Sequence, residues 1–529
     1  MSTVSGRQGI VAAGHPVTAE AGAHMLEDGG NAVDAAVAAA CTSFIAEPVL
    51  TGAGGGGFML IHNSTGRNIF YDGFSRMPAR PVDDQCLPDF RAIPVDFGDT
   101  IQTFHIGQAS VATPSLLAML FAAHKKQGHL PIEVVMQPAI AAARNGVHLN
   151  ELQASFIHLL EPILTAEAAC RRLHTNGDSL LAEGDLFRNP DLANTLEMLS
   201  IEGVREMYEG DLARAIVSAV DKGGLLSMDD LRGEQVTLRK PLSSSLFGGI
   251  LLTNPPPSSG GCLISFAAKL LETLMRRYPE HPFPVLLTEA LRETSRRRGN
   301  DFDHKVYERD MAEAFLAEER IRHSLEQIRR RLGGEPGTAS KEPENRHGST
   351  THISVVDREG TAVSVTSSNG EGSGIVVPGT GIHLNNMLGE EDINPLGFHK
   401  LPAGATLSSM MAPSMLLKNG RPVVTLGSGG SNRLRGAIVQ VLCRYTLMEQ
   451  SIHHAVFAPR LHNEGNRLDV EPGGLNDACR QQLMELGWEV CDWENQSVYF
   501  GGVHAICMDE KGRLDGAGDP RRGGSVAWA

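Results

Sequence analysis

The sequence predicts a globular chain of mixed α/β class. Its 529 residues are 41% hydrophobic and 21% charged, which is enough apolar material for a large buried core. Ala-rich stretches with helix-start signals alternate with short β-branched runs. The 58 glycines gather in dense groups, at Gly52–Gly57, Gly260-Gly261, Gly370–Gly374 and Gly427–Gly430. Such groups let backbone approach backbone or ligand closely. Length leaves the domain count open, because one large sheet-based unit can absorb much of it.

Along the chain, Gly9-Ile10-Val11-Ala12-Ala13 reads as a short buried strand. An Ala-rich helix is expected over 17–26 and another from Asn31 to about Ser43, with Asn31 as its cap after Gly29-Gly30. Phe58–His62 reads as a strand directly behind the first glycine group. Helices follow over 115–126 and 132–144, divided by Gly128-His129-Leu130-Pro131, which supplies both a stop and a start. Charge-laced helix fills 308–332, and the runs Arg296-Arg297-Arg298 and Arg329-Arg330-Arg331 read as solvated helix faces. A polar segment bearing Pro and Gly, 333–349, reads as a flexible linker. It gives way abruptly to Thr351–Asp357, a turn at Arg358-Glu359-Gly360, and a second β-rich run over 362–366, set as a hairpin. More β signal lies at 415–417 and 422–426 around the turn at 418–421, and a helix follows over 434–449. No internal repeat is visible.

Composition excludes several classes. Lys plus Arg is 47 against 62 for Asp plus Glu, a formal charge of −15, which argues against a nucleic-acid binder or an anionic-membrane protein. Eight cysteines lie scattered with no C-x-x-C, against both a disulfide framework and a zinc knuckle, so reduced thiols are expected. No apolar run is long enough to span a membrane and none near the start reads as a signal core, so a cytoplasmic location is expected. Gly52, Gly54 and Gly57 formally satisfy G-x-G-x-x-G, but a strand follows where a dinucleotide site needs a helix N-terminus. Phosphate-loop, zincin and nucleophile-elbow patterns are absent.

The informative junction is Gly348-Ser349-Thr350-Thr351-His352, where a polar segment meets a core strand. A hydroxyl there could attack the preceding carbonyl, shift the acyl group to oxygen and let water release a new N-terminus. The freed α-amine, with a pKa near 7.7–8.0, would then serve as the base that a Thr hydroxyl requires. The plain alternative is that Thr350 and Thr351 merely open a strand.

Further motifs weigh against that alternative. Ser349-Thr350-Thr351-His352-Ile353-Ser354-Val355-Val356-Asp357 resembles the T-T-H-x-S-V-V-D start of the small subunit of γ-glutamyltranspeptidases, which are self-cleaving N-terminal-nucleophile enzymes. Asn254-Pro255-Pro256-Pro257-Ser258-Ser259-Gly260-Gly261 is similar to that family's P-P-P-S-S-G-G segment. Gly372–Ile375, Gly381–Asn386, Ser408-Ser409-Met410, Gly427–Gly430 and Asp519-Pro520-Arg521 fall in the family's order, as do Gly29–Ala36 and Gly54–Phe58 nearer the start. The resemblance spans nearly the whole chain.

It implies a four-layer αββα sandwich of the N-terminal-nucleophile hydrolase type, α/β (α+β) in class. One precursor would be cut into a large subunit, 1–349, and a small catalytic subunit, 350–529, which stay interlocked; a dimer of the processed pair is left open. Thr350 would be the nucleophile and Ser349–Thr350 the scissile bond, with Ser368 as the hydroxyl bonding the nucleophile. Gly429 and Gly430 would form the oxyanion hole, and Ser408 and Ser409 would bind the donor carboxylate. Glu390 would anchor the donor α-amine. The reaction would be hydrolysis or transfer of a γ-glutamyl amide such as glutathione, a small molecule, and it needs no cofactor or metal.

Three departures bear on substrate. The family's Asp-x-Arg-Glu, whose Arg grips the donor α-carboxylate, stands here as Asp72-Gly73-Phe74-Ser75, with Arg76 two places on as a candidate replacement. The segment between Thr366 and Gly372 is about two residues shorter than the family pattern, so the substrate-binding Asn is Asn369 or is absent. Glu390 is one methylene longer than the usual Asp. The alternatives are an acylase of the same fold acting on another side-chain amide (a glutaryl β-lactam or a poly-γ-glutamate), a non-catalytic relative, and a dinucleotide-binding oxidoreductase.

Overall fold

Alternation along each strand sends successive side chains into two different cores, and this builds the architecture. A computed structural model describes residues 8–81, 88–96, 101–334 and 348–529. Residues 335–347, most of the segment read as a linker, lie outside the described residues. In chain order the strands of the two main sheets are β1 (Gly9–Ala13), β2 (Gly56–His62), β3 (Asn68–Gly73), β4 (Thr237–Arg239), β5 (Leu242–Leu246), β6 (Gly249–Thr253), β7 (Thr351–Asp357), β8 (Ala362–Ser368), β9 (Ser414–Lys418), β10 (Arg421–Gly429), β11 (Gly502–Met508), β12 (Leu514–Ala517) and β13 (Ser525–Trp528). The seven-stranded sheet runs β4-β3-β2-β8-β7-β1-β13 and the six-stranded sheet β5-β6-β9-β10-β11-β12. Both are antiparallel throughout.

Met59 and Ile61 of β2, with Val11 and Ala13 of β1, face an outer core under α1 (Pro16–Glu27), α2 (Ala32–Ala46) and α3 (Leu116–Gln127). Phe58 and Leu60, with Ile10 and Ala12, face the other way, into the core shared with Leu416, Val424 and Leu426 of the second sheet. Behind that sheet lie α4 (Gly260–Arg277) and α7 (Arg433–Thr446), with α5 (Phe283–Asp301) and α6 (Glu318–Leu332) packed on α4. The result is the expected four-layer αββα sandwich. Asn31 caps α2 in a reciprocal capping box with Asp34, and every residue of that helix is buried. Its run of alanines allows this, since small side chains let the helix sit between α1 and the sheet.

Between the sheets the hairpin β7–β8 is polar rather than apolar. His352 Nδ1 lies 2.8 Å from Thr366 Oγ1, Ser354 Oγ donates to the Thr425 and His504 carbonyls at 3.2 Å each, and Ser364 Oγ donates to the Leu426 carbonyl at 3.1 Å. The Ser354 and Ser364 hydroxyls thus find partners on the facing sheet, and these bonds fix how the two sheets sit against one another.

Some expected elements are corrected. The helix over 132–144 is two pieces, Ile132–Val135 and Gln137–Asn145, because Pro138 lacks the N–H a continuous helix would use. The helix over 308–332 is Met311–Phe315 followed by α6. The arginine runs are not simply solvated faces. Arg298 is buried on Asp303 and Asn432, while Arg331 Nε lies 2.6 Å from Glu289, and Glu293 is 3.4 Å from its Nη1. Helical spacing turns one residue of three consecutive arginines inward; the buried acids that meet Arg331 sit on α5, and Arg298 meets Asp303 just past the end of that helix. Arg331→Ala should therefore lower stability by about 3–5 kcal/mol, because it leaves Glu289 and Glu293 buried with less compensation. The exposed neighbour's change, Arg329→Ala, should stay within about 0.5 kcal/mol. Denaturant unfolding of the two variants side by side measures this.

Seven cysteines are described and all are free thiols. Among the described residues no helix is long and apolar enough to cross a membrane.

Candidate active site

The site forms where β7 begins, β8 ends and β10 ends. Thr351 pairs with Ser367, so Thr350 and Ser368 come to the same end of the hairpin. With the Ser349–Thr350 peptide intact, Ser368 Oγ donates to the Ser349 carbonyl oxygen at 2.5 Å and accepts the Gly370 N–H at 2.9 Å. The Ser349 carbonyl is thus polarised by a hydroxyl on the neighbouring strand. Glu371 holds the same residue from its other end, accepting the Ser349 N–H at 2.9 Å and its Oγ–H at 2.5 Å. Arg522 Nη1 donates to the Thr350 carbonyl at 3.1 Å. Ser349 and Thr350 are both buried.

Behind them stands Glu47, just past the end of α2, which accepts from Thr351 Oγ1 and, at 2.9 Å, from Thr18 Oγ1. Burial pushes its carboxyl up to about 7, and burial does the same to Glu371, also to about 7. Glu390 is raised well above the carboxylate range, first by burial and then by Asp392 and Glu371 beside it. Burial lowers the Arg522 guanidinium to about 10 against the opposing attraction of Glu371, Asp519 and Glu47. A carboxyl raised in the fold above its unfolded value contributes stability that is complete below about pH 4.5 and is lost as pH rises through about 7. Compared in uncut Thr350→Ala chains, Glu47→Gln should remove part of that loss. Its melting temperature should fall less than the parent's between about pH 5 and about pH 8.

At the end of β10, Gly429 pairs with Gly502, and any Cβ on it would overlap the Thr350 carbonyl oxygen. Gly430 has φ +122, which L side chains rarely adopt, and α7 starts three residues on. The backbone therefore passes against Thr350 with no side chain between.

A small cavity opens beside Thr350, lined in part by Ser368, Glu390, Ser409, Phe74 and Asp392. Glu390 Oε1 accepts the Glu371 N–H at 3.2 Å, and Ser409 Oγ accepts the Met411 N–H at 3.1 Å. Ser408 is buried next to Ser409 but is not among the lining residues. Neither of the two uncertain candidates joins them. Arg76 Nη2 donates to the Gln235 carbonyl at 2.6 Å and to Thr237 Oγ1 at 2.9 Å, and its Nε is 3.4 Å from Glu234, so the guanidinium is held at β4. Asn369 Nδ2 donates to the His383 carbonyl at 3.2 Å, and its amide lies against Gly52 and Gly55 rather than in the cavity. A second cavity, about 150 Å³, shares Gly348 and Ser349 with the first and is walled by Phe156, Trp493, Tyr499, Arg433 and Arg522.

Reading the sequence alone missed Glu371, Arg522 and Glu47. Each carried a faint signal. Glu371 is a lone acid between two glycines, Arg522 follows the Asp519-Pro520-Arg521 motif, and Glu47 is an acid at a helix C-terminus, where the dipole disfavours it.

Residues 18–529 match the family model described as gamma-glutamyltranspeptidase. The glutathione hydrolase proenzyme of Bacillus subtilis (strain 168) is 29% identical, the match covering 98% of this chain and 91% of that one. The acylase ACY 1 proenzyme of Pseudomonas sp. (strain SE83) is 30% identical, covering 97% and 92% respectively. In fold, the cephalosporin acylase from Bacillus halodurans superposes with a TM-score of 0.80 at 24% identity, covering 100% of this chain and 97% of that one.

Proposed function

Because the chain belongs to the γ-glutamyltranspeptidase family, we propose that it is made as a precursor, cuts itself between Ser349 and Thr350, and then acts through Thr350 as an amide hydrolase and acyltransferase. The observation that carries this is the grip on Ser349: its carbonyl held by Ser368 Oγ at 2.5 Å and its N–H by Glu371 at 2.9 Å. In the first reaction Thr350 Oγ adds to the Ser349 carbonyl carbon, the C–N bond breaks, and the acyl group moves to oxygen as an ester. Water hydrolyses the ester, leaving a carboxylate on Ser349 and a free amine on Thr350.

In turnover that amine, poised near neutrality, takes the Oγ proton as Oγ attacks the donor amide. The oxyanion forms against the Gly429–Gly430 backbone, where an N–H aimed at developing charge is typically worth about 3 kcal/mol of barrier. The leaving amine departs with the proton, and water or an acceptor amine then takes the acyl group. The small subunit would be 350–529, interlocked with 1–349 through the β7–β1 and β8–β2 pairings.

Intact mass and N-terminal sequencing of the smaller fragment test this directly. The fragment should begin Thr350-Thr351-His352, and an active preparation that remains one unbroken chain would refute the mechanism. Glu371→Ala should slow the cut by about tenfold or more, because it frees Ser349 to rotate away from Ser368. The uncut fraction followed over time on a denaturing gel measures it. One observation favours the acylase reading over a strict glutathione hydrolase: Phe74 lines the cavity, and Arg76 is engaged elsewhere.

A further inference from the structure

We propose that the acyl pocket of this site selects a donor whose acyl chain carries an ammonium group and no free carboxylate, with the chemistry of a 4-aminobutyryl amide, over a γ-glutamyl donor. This rests on the Thr350 reading above and goes further by fixing the charge of the substrate.

The argument is one of charge and wall composition. Among the described residues that line the cavity beside Thr350 there is no Lys, Arg or His, whereas Glu390 and Asp392 both line it. Its remaining wall joins apolar Phe74, Met387, Met410 and Met411 to neutral hydroxyls, Ser409 and Ser431 among them, which can donate to a carboxylate but carry no charge to balance it. Phe74 is itself buried and stacked on Phe58 with ring centroids 5.2 Å apart, so it is packed in place rather than poised to swing away. Arg76, the cation nearest in sequence, is spent on Gln235, Thr237 and Glu234. Arg522 lines the neighbouring cavity and points its Nη1 at the Thr350 carbonyl, and Arg433 lines that same neighbouring cavity. A free carboxylate on the donor would be stripped of water beside two acids and an aromatic ring with no cation to receive it.

An ammonium meets the opposite situation. In the intact chain Glu371 receives two donors from Ser349, its N–H at 2.9 Å and its Oγ–H at 2.5 Å, and scission releases that residue. The Glu371 N–H donates to Glu390 Oε1 at 3.2 Å, which ties the acid lining this pocket, Glu390, to the one lining the neighbouring cavity, Glu371. Burial disfavours charge on both and Asp392 adds to this at each, so a cation beside Glu390 and Asp392, the two acids that line the pocket, relieves that repulsion.

Three nitroanilides separate the charges on one carbon skeleton. The γ-glutamyl compound carries both groups, the 4-aminobutyryl compound only the ammonium, and the glutaryl compound only the carboxylate. Thr350→Ala protein serves as the blank for spontaneous release. With matured enzyme, kcat/KM for the 4-aminobutyryl compound should exceed that of the other two by about tenfold or more. Phe74→Arg should shift the preference toward the γ-glutamyl compound by about tenfold, by supplying the missing guanidinium. Glu390→Gln should depress the 4-aminobutyryl rate and spare the glutaryl one. Equal or faster cleavage of the γ-glutamyl or glutaryl compound by the matured enzyme overturns the proposal, as does cleavage of none of the three by a chain cut at Ser349–Thr350. A chain that never cuts itself instead defeats the function on which the proposal rests, so the two failures are distinct.

Discussion

Thr350→Ala protein should run as a single 56.7-kDa band under denaturing conditions, where the unmodified chain should give two fragments. Its activity should be lost by about four orders of magnitude or more, since removing a nucleophile costs as much as removing the whole catalytic unit. Two functions disappear with one hydroxyl. The Ser349 carbonyl, although still held by Ser368, has nothing to attack it, and no α-amine is ever liberated to act as base. Thr350→Ser distinguishes loss of chemistry from loss of fold. It keeps the hydroxyl, so it should be cut and retain activity, while Thr350→Ala should stay uncut and melt as one cooperative unit.

Gly429→Ala should cost about a hundredfold or more in kcat. The added methyl would overlap the Thr350 carbonyl oxygen, so either β10 or the start of β7 must move. Displacing an oxyanion donor by even a fraction of an ångström forfeits the roughly 3 kcal/mol that such a donor supplies. The same collision distorts the Ser349–Thr350 geometry, so self-cleavage should also slow. Stopped samples on a gel give the cutting rate, and titrating the fraction cut separates it from turnover. If turnover per cut molecule is unchanged, the backbone at Gly429 plays no part in stabilising the transition state.

Much of this was legible in the sequence because it is written in local patterns. The alternation of Ile353, Val355, Val363 and Val365 gives a hairpin, and Asn31 followed by Asp34 gives a capped helix. The Thr350–His352 junction, the serine pair and the glycine pair follow the family's order along the chain. The Arg298 and Arg331 environments were not legible, because Asn432 beside Arg298 and Glu289 and Glu293 beside Arg331 are brought there by packing between remote elements. The same holds for Arg76, whose spacing suggested a replacement clamp but whose guanidinium is drawn to buried Glu234.

The sequence by itself determined the mixed α/β class, the order of its elements and the residue types at the junction, because hydrophobic period, caps and turn chemistry act over a few residues; the four layers were what the family resemblance implied. Only the tertiary structure decided which groups face Ser349 and which charges line the cavity. Glu47, Glu371, Phe74 and Arg522 lie far apart along the chain, and the stacking of the two sheets is what gathers them around one peptide bond.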